Sequence, residues 1–135
     1  MRLRRVPDAS ESSLVPFVQE AVESGSEVRT DGWAGYNGLV KHGYLRNKTV
    51  LSSSGDPAHV SMPAVHRVSS LLKRWLLGTH QGAVRPDQLD RYLDEFTFRF
   101  NRRSSRSRGL LFYRLLEQAV VTSPAPYRFI VGGKP

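Results

Sequence analysis

Val28-Arg29-Thr30-Asp31-Gly32-Trp33 reads as the end of a short strand, a carboxylate, a glycine and the start of a new helical segment. A glycine directly behind a strand lets the backbone turn sharply. In open α/β sheets, ligands and chemistry gather at the carboxyl ends of strands, and Asp31 stands at such an end. A carboxylate there can bind a hard cation or act as a base. It can equally cap the helix that follows, since its oxygens accept the N–H groups that a first helical turn leaves unpaired. The local pattern leaves both readings of Asp31 open.

Upstream of this stretch, Leu14, Phe17, Val18, Ala21 and Val22 recur at helical spacing. Ser10 or Ser12 can cap that helix, Pro16 is tolerated in its first turn, and Gly25 ends the run. Residues 2–6 alternate weakly and form a candidate strand, which Pro7-Asp8-Ala9-Ser10 breaks. Strand Glu27–Thr30 then delivers Asp31. Downstream, residues 34–42 make a short helical piece closed by Gly43, with Tyr36, Leu39 and Val40 expected to face the sheet. Residues 45–51 are a second strand candidate, with Val50 and Leu51 apolar, and Ser52-Ser53-Ser54-Gly55-Asp56-Pro57 is a loop by composition. The order strand, helix, strand, helix, strand is that of an α/β protein, whose crossovers favour parallel neighbours.

The second half reads as helical. Pro63 starts a helix running to about Leu77, where Gly78 stops it. Its apolar face is Val65, Val68, Leu72, Trp75 and Leu76, of which Val65, Val68 and Leu72 are expected to be buried across the sheet, while His66, Ser69, Ser70 and Lys73 share the other face. Residues 87–101 form a second helix with Leu89, Tyr92, Leu93, Phe96 and Phe100 as its stripe. Residues 109–121 form a third, carrying Leu110, Leu111, Leu115, Leu116 and Val120. Arg102-Arg103-Ser104-Ser105-Arg106-Ser107-Arg108 connects them. From Thr122 onward no periodic pattern remains.

Composition narrows the function. The chain has 135 residues, no cysteine and a formal charge of +8. That excludes disulfide frameworks and cysteine-based zinc sites. No apolar run is long enough to span a bilayer, and the N-terminal residues do not read as a signal peptide, so a soluble intracellular protein without a membrane partner is expected. Residues 1–62 hold 7 Lys/Arg and 7 Asp/Glu, whereas residues 63–135 hold 13 against 5. A basic half beside a neutral half points to a polyanion surface, nucleic acid foremost. Arg99, Arg102, Arg103, Arg106 and Arg108 straddle the end of a helix and the following loop. Guanidinium groups suit phosphate because a planar fork binds two oxygens at once. Part of the set also complements the negative end of the helix dipole, which accounts for one or two arginines and not for five. Among the four histidines, His66 lies in the first turn of its helix at the margin of the core, and none makes metal-ligand spacing with a second ligand along one helix. A G-x-S-x-G elbow, a P-loop and a dinucleotide fingerprint are all absent.

Lys73-Arg74, Gly78-Thr79-His80, Tyr92-Leu93-Asp94-Glu95-Phe96 and Phe98-Arg99-Phe100-Asn101-Arg102-Arg103 together resemble a known family. It is the C-terminal catalytic portion of bacterial insertion-sequence transposases of the ISXO-like branch of the DDE superfamily. Thr30-Asp31-Gly32-Trp33 with Tyr36 resembles the segment carrying that family's second catalytic Asp. The resemblance covers residues 2–121, which makes residues 1–121 a partial catalytic domain and residues 122–135 an irregular tail.

This resemblance implies an α/β, ribonuclease-H-like domain lacking its first two strands, followed by a helical C-terminal half. On that map residues 2–6 are the third strand, Glu27–Thr30 the fourth and residues 45–51 the fifth. The family's acids bind two divalent ions, Mg²⁺ or Mn²⁺, that activate water or a DNA 3′-hydroxyl for attack on a phosphodiester. Asp31 and His66 are the implied catalytic and metal-binding residues here, and the first catalytic Asp is expected to lie upstream of Met1. Many members have His-Thr-Asn-x-x-Glu where this chain has Ser61-Met62-Pro63-Ala64-Val65-His66, so His66 stands at the Glu position. Imidazole is a poor Mg²⁺ ligand and a better one for softer ions, and it can instead shuttle a proton or contact phosphate. Lys73, Arg74, Arg99, Arg102, Arg103 and Arg106 are the implied contacts to DNA, both element ends and target. The chain alone is expected to be inactive, to act in the bacterial cytoplasm at the nucleoid, and to associate with itself or with full-length transposase. A non-catalytic DNA-binding or transposase-interacting regulator is the rival expectation.

Overall fold

The computed structural model describes residues 1–49 and 58–127. They divide into two compact units, Arg4–Ala83 and Met1–Leu3 with Val84–Pro135. The expected loop at 52–57, the apolar end of the second strand at Val50 and Leu51, and the last part of the tail lie outside the described residues.

The first unit begins with helix α1, Glu11–Ala21. Ser10 is its N-cap residue but makes no side-chain capping bond of its own. The Asp8 carboxylate does the anchoring: its Oδ1 accepts the Ser10 N–H at 2.9 Å, the Ser10 hydroxyl, and the Ser13 hydroxyl at 2.7 Å. Pro16 falls at the sixth residue of the helix rather than in its first turn. Its missing N–H leaves the Ser12 carbonyl without a helical donor, and both residues are exposed, so water can satisfy that oxygen.

Strand β1 (Glu27–Thr30) pairs in parallel with strand β2 (Leu45–Lys48), with Glu27 opposite Leu45 and Thr30 opposite Lys48. Among the described residues these two strands are the whole sheet. β2 is described to Lys48, and the Thr49 N–H adds one further bond, to the Thr30 carbonyl at 2.9 Å; the rest of the strand expected over 45–51 lies outside the described residues. The third strand expected at residues 2–6 does not form. A strand is defined by its ladder, and this segment pairs with neither β1 nor β2. Instead Arg4 lays its guanidinium over the Phe17 ring and pairs with Glu20, both on α1.

The β1–β2 crossover is a 3-10 helix, Ala34–His42. With three residues per turn, Tyr36 and Leu39 share one face and Val40 rotates off it. Leu39 is accordingly fully buried while Val40 is 62% exposed, which corrects the expectation that all three face inward. Gly43 closes the helix at φ +82°, a left-handed conformation that glycine adopts without a Cβ penalty. Gly35 is buried against the entry to α1, where an added Cβ would overlap the Ala9 carbonyl. Val15, Val18, Leu39 and Tyr44 form the core, with Val22, Val28 and Tyr36 packed around them. The Tyr44 hydroxyl donates to the Val22 carbonyl at 2.9 Å.

A short helix α2, Ala58–Ser61, precedes helix α3, Pro63–Gly78. α3 starts at its proline as expected and takes Gly78 into its last turn. None of its residues is buried, and Val65, expected to pack across the sheet, is 54% exposed. The reason lies in its contacts: among the described residues α3 packs mainly against the short α2, and neither strand lies against it closely enough to cover the stripe.

In the second unit helix α4 covers Leu89–Asn101. It starts two residues later than expected, because residues 85–88 form a turn instead, closed by the Gln88 N–H to the Arg85 carbonyl at 3.0 Å. Leu93 and Phe96 are its buried residues. The Met1 amino group donates to Asn101 Oδ1, and Asn101 Nδ2 donates back to the Met1 carbonyl, each at 2.9 Å. Helix α5, Arg108–Val121, buries none of its described side chains, leaving Leu110, Phe112, Tyr113, Leu115, Leu116 and Val120 exposed. Among the described residues no helix is long and apolar enough to cross a membrane.

Candidate functional site

Asp31 leaves the carboxyl end of β1 directly after Thr30, which is buried. Its Oδ1 accepts the Trp33 N–H at 3.1 Å, so the carboxylate steadies the turn into the 3-10 helix. That is the bland role, and it occupies one oxygen. Among the described residues Oδ2 accepts no hydrogen bond. Capping and chemistry are therefore not exclusive for this residue.

The turn is held from the other strand by Arg46. Its Nε donates to Thr30 Oγ1 at 2.9 Å, one terminal nitrogen donates to the carbonyls of Asp31 at 3.2 Å and Trp33 at 2.9 Å, and the other donates to Asn37 Oδ1. Thr30 Oγ1 in turn donates to the Asp31 carbonyl at 3.0 Å. Trp33 is fastened separately, its indole N–H reaching the Ala9 carbonyl at 2.6 Å. Tyr36 completes the surroundings. Burial pushes its phenol above the ordinary value, the Asp31 charge adds to this, and Arg46 opposes it.

Arg46 was not foreseen as part of this site. The available signal was its position: of the four residues in β2 it alone is half-buried, opposite Val28 in the ladder. An arginine at the inward position of a strand needs carbonyl or carboxylate partners, and the turn after β1 supplies them.

His66 lies in the first turn of α3, half-buried, with its N–H bonded to the Met62 carbonyl at 3.2 Å. Among the described residues no hydrogen bond joins its imidazole to Asp31. Nor do any three or more His, Cys, Asp or Glu side chains gather there as a group able to hold a metal ion. The residues described do not by themselves fit a resident divalent ion.

The cationic residues divide between the units. Lys73 and Arg74 are exposed on α3. In the second unit, Arg99 is loosely paired with Glu95 at 3.5 Å, both exposed. The Arg102 guanidinium lies 4.0 Å above the Phe98 ring and that of Arg103 lies 3.9 Å above Phe100. Arg103 also donates to the Phe100 carbonyl at 2.7 Å, so one arginine does satisfy the carbonyl end of α4. Arg106 is exposed in the connection to α5, and the Arg108 side chain lies outside the described residues.

A carboxylate at a strand end in a braced turn thus precedes helices that bear exposed cations. Residues 1–101 match the ISXO2-like transposase domain, and the chain belongs to that family. No curated protein and no solved structure matches it.

Proposed function

We propose that residues 1–121 are the C-terminal part of a DDE transposase catalytic domain of ribonuclease-H-like fold, with residues 122–135 as a tail. In this reading the first two strands and the first catalytic Asp lie upstream of Met1. Asp31 is the second catalytic acid, and His66 takes the third active-site position. The family match over residues 1–101 carries the reading, and Asp31 at the carboxyl end of a parallel strand agrees with it. The intact domain would use Mg²⁺ or Mn²⁺ for DNA strand cleavage and transfer in the bacterial cytoplasm, and this chain alone would be inactive. Joining the chain to a segment that supplies the first two strands and their Asp should yield Mn²⁺-dependent cleavage of element-end DNA. Asp31→Asn should then abolish it. Cleavage that survives Asp31→Asn removes the assignment.

A second reading, a non-catalytic DNA-binding protein that acts alone or by joining full-length transposase, draws on the excess of basic residues after position 62. Lys73, Arg74, Arg99, Arg102, Arg103 and Arg106 would contact DNA in either case. Duplex affinity should fall by about 0.9 log unit per log unit of salt for each phosphate neutralised. Replacing Arg102, Arg103 and Arg106 with Ala should flatten that slope without altering sequence preference. A salt-independent affinity of the unmodified chain sinks the DNA assignment.

A further inference from the structure

Two arginines at the end of α4 are held in a way that phosphate contact alone does not require. Arg103 caps a column: its guanidinium lies 3.9 Å over Phe100, and Phe100 stacks on the buried Phe96 at 6.0 Å between centroids and 30° between planes. Arg102 lies 4.0 Å over Phe98. A guanidinium against a ring keeps its N–H donors in its own plane, and its second face is a flat, weakly hydrated cationic surface. The rings have already restricted both side chains, so a ligand that stacks on them loses less conformational entropy on binding than it would on a mobile arginine.

Beside Arg102 lies an open cleft of about 620 Å³ whose walls include Asp94, Thr97, Phe98, Asn101 and Gln118. Thr97 Oγ1 is buried there without a hydrogen-bond partner among the described residues. The cleft thus joins a planar cation, the Gln118 amide of α5 and an unmet hydroxyl, while the Asn101 amide is engaged by Met1. Duplex DNA exposes phosphates and groove edges but keeps its base faces stacked, so it cannot use such a surface. An unpaired base can, because it offers both a π-face and a free hydrogen-bonding edge.

We infer that the Arg102–Arg103 end of α4 is a binding site for unpaired nucleobases, so that the ligand is single-stranded or locally opened nucleic acid. The inference rests on the DNA reading above and goes further by naming which form of nucleic acid this part of the surface takes.

The test compares three labelled probes by fluorescence anisotropy with the full chain: a homothymidine oligonucleotide, an abasic phosphodiester of equal length, and a mixed-sequence duplex. The homothymidine strand should bind about tenfold or more tighter than the abasic strand, since base stacking on such platforms is worth about 1–3 kcal/mol per base. Arg102→Lys and Arg103→Lys, singly and together, keep the charge and remove the planar face. They should erase that difference while leaving the salt dependence unchanged, and thermal melting by circular dichroism checks that the variants remain folded. Arg114→Lys, at an exposed arginine on α5 paired with Glu117, should leave the difference intact. Equal, salt-sensitive binding of thymidine and abasic strands overturns the stacking site and leaves the phosphate-contact reading standing. A difference that survives both lysine variants overturns the assignment to these arginines. Failure to bind any of the three probes overturns the DNA reading and the inference together.

Discussion

Leu39 and Val120 are both apolar residues on helical segments, yet one has no exposed surface and the other is 81% exposed. Leu39 belongs to a crossover clamped between α1 and two strands, where Gly35 and Gly43 permit close approach and a tight exit. Val120 belongs to α5, a regular helix whose described side chains include none that is buried. Periodicity identifies a helix from its own sequence, whereas burial depends on what the rest of the chain brings against it. The first region is fixed by tertiary packing despite an imperfect helix, and the second is a well-formed helix with little packed on it.

The sharpest way to break this contrast is truncation at both positions. Leu39→Ala should cost about 2–5 kcal/mol in urea unfolding, as removal of fully buried leucine side chains does. Val120→Ala should change stability by less than about 0.5 kcal/mol. Equal effects would mean that α5 is covered in solution.

Arg46→Ala comes next. It removes the donors to Thr30, Asp31 and Trp33, and should cost about 1–3 kcal/mol, the range for leaving buried polar groups unpaired. Amide exchange should accelerate selectively at residues 31–33. Unchanged exchange there would show that the Asp31 carboxylate and the Trp33 bond to Ala9 hold the turn without Arg46.

Two glycines sharpen the comparison through opposite signs. Gly43→Ala places a Cβ at φ +82° and should destabilise by about 1–2 kcal/mol. Gly78→Ala, at the end of α3 with nothing within reach of the added Cβ, should stabilise by up to about 1 kcal/mol. Chemical denaturation of the pair reads both.

The smallest expected effect is that of pH at the start of α1. The Ser10 hydroxyl, the Ser10 N–H and the Ser13 hydroxyl hold the Asp8 carboxyl below its ordinary value of 3.8. A depressed folded value means that the contribution is present above the unfolded value and is lost as pH falls through the folded one. Acid unfolding of Asp8→Ala should therefore show a weaker pH dependence below about pH 4 than the parent chain. Identical acid profiles would show that the anchor adds nothing measurable.

Much of this architecture is legible in the sequence, for identifiable reasons. Pro63, Gly43 and the apolar spacing of Leu93 and Phe96 act locally, and the elements they mark stand within a residue or two of expectation. Asp31 at a strand end follows from the Thr-Asp-Gly run in the same way. Residues 2–6 were misread because weak alternation says nothing about whether a pairing partner exists. Val40 is exposed because a segment that turns every three residues keeps i+3, and not i+4, on the inward face. Arg46 escaped notice because its four acceptors lie 9 to 16 positions away along the chain. The stacks of Arg102 and Arg103 are local, four and three residues from their rings, and an F-x-F-x-R-R pattern at a helix end is a usable signal for them.

The core residues Val15, Val18, Leu39 and Tyr44 lie within one short stretch of chain. Contacts of such low sequence separation form on the millisecond scale or faster. Ribosomes add about 5–20 residues per second. Once Lys48 is clear of the exit tunnel, the α1–β1–β2 nucleus has its whole core and both strands, while α4 and α5 are still being made. The exposed apolar helix α5 thus emerges after that nucleus has formed, and it is the part of the nascent chain on which chaperones should be found.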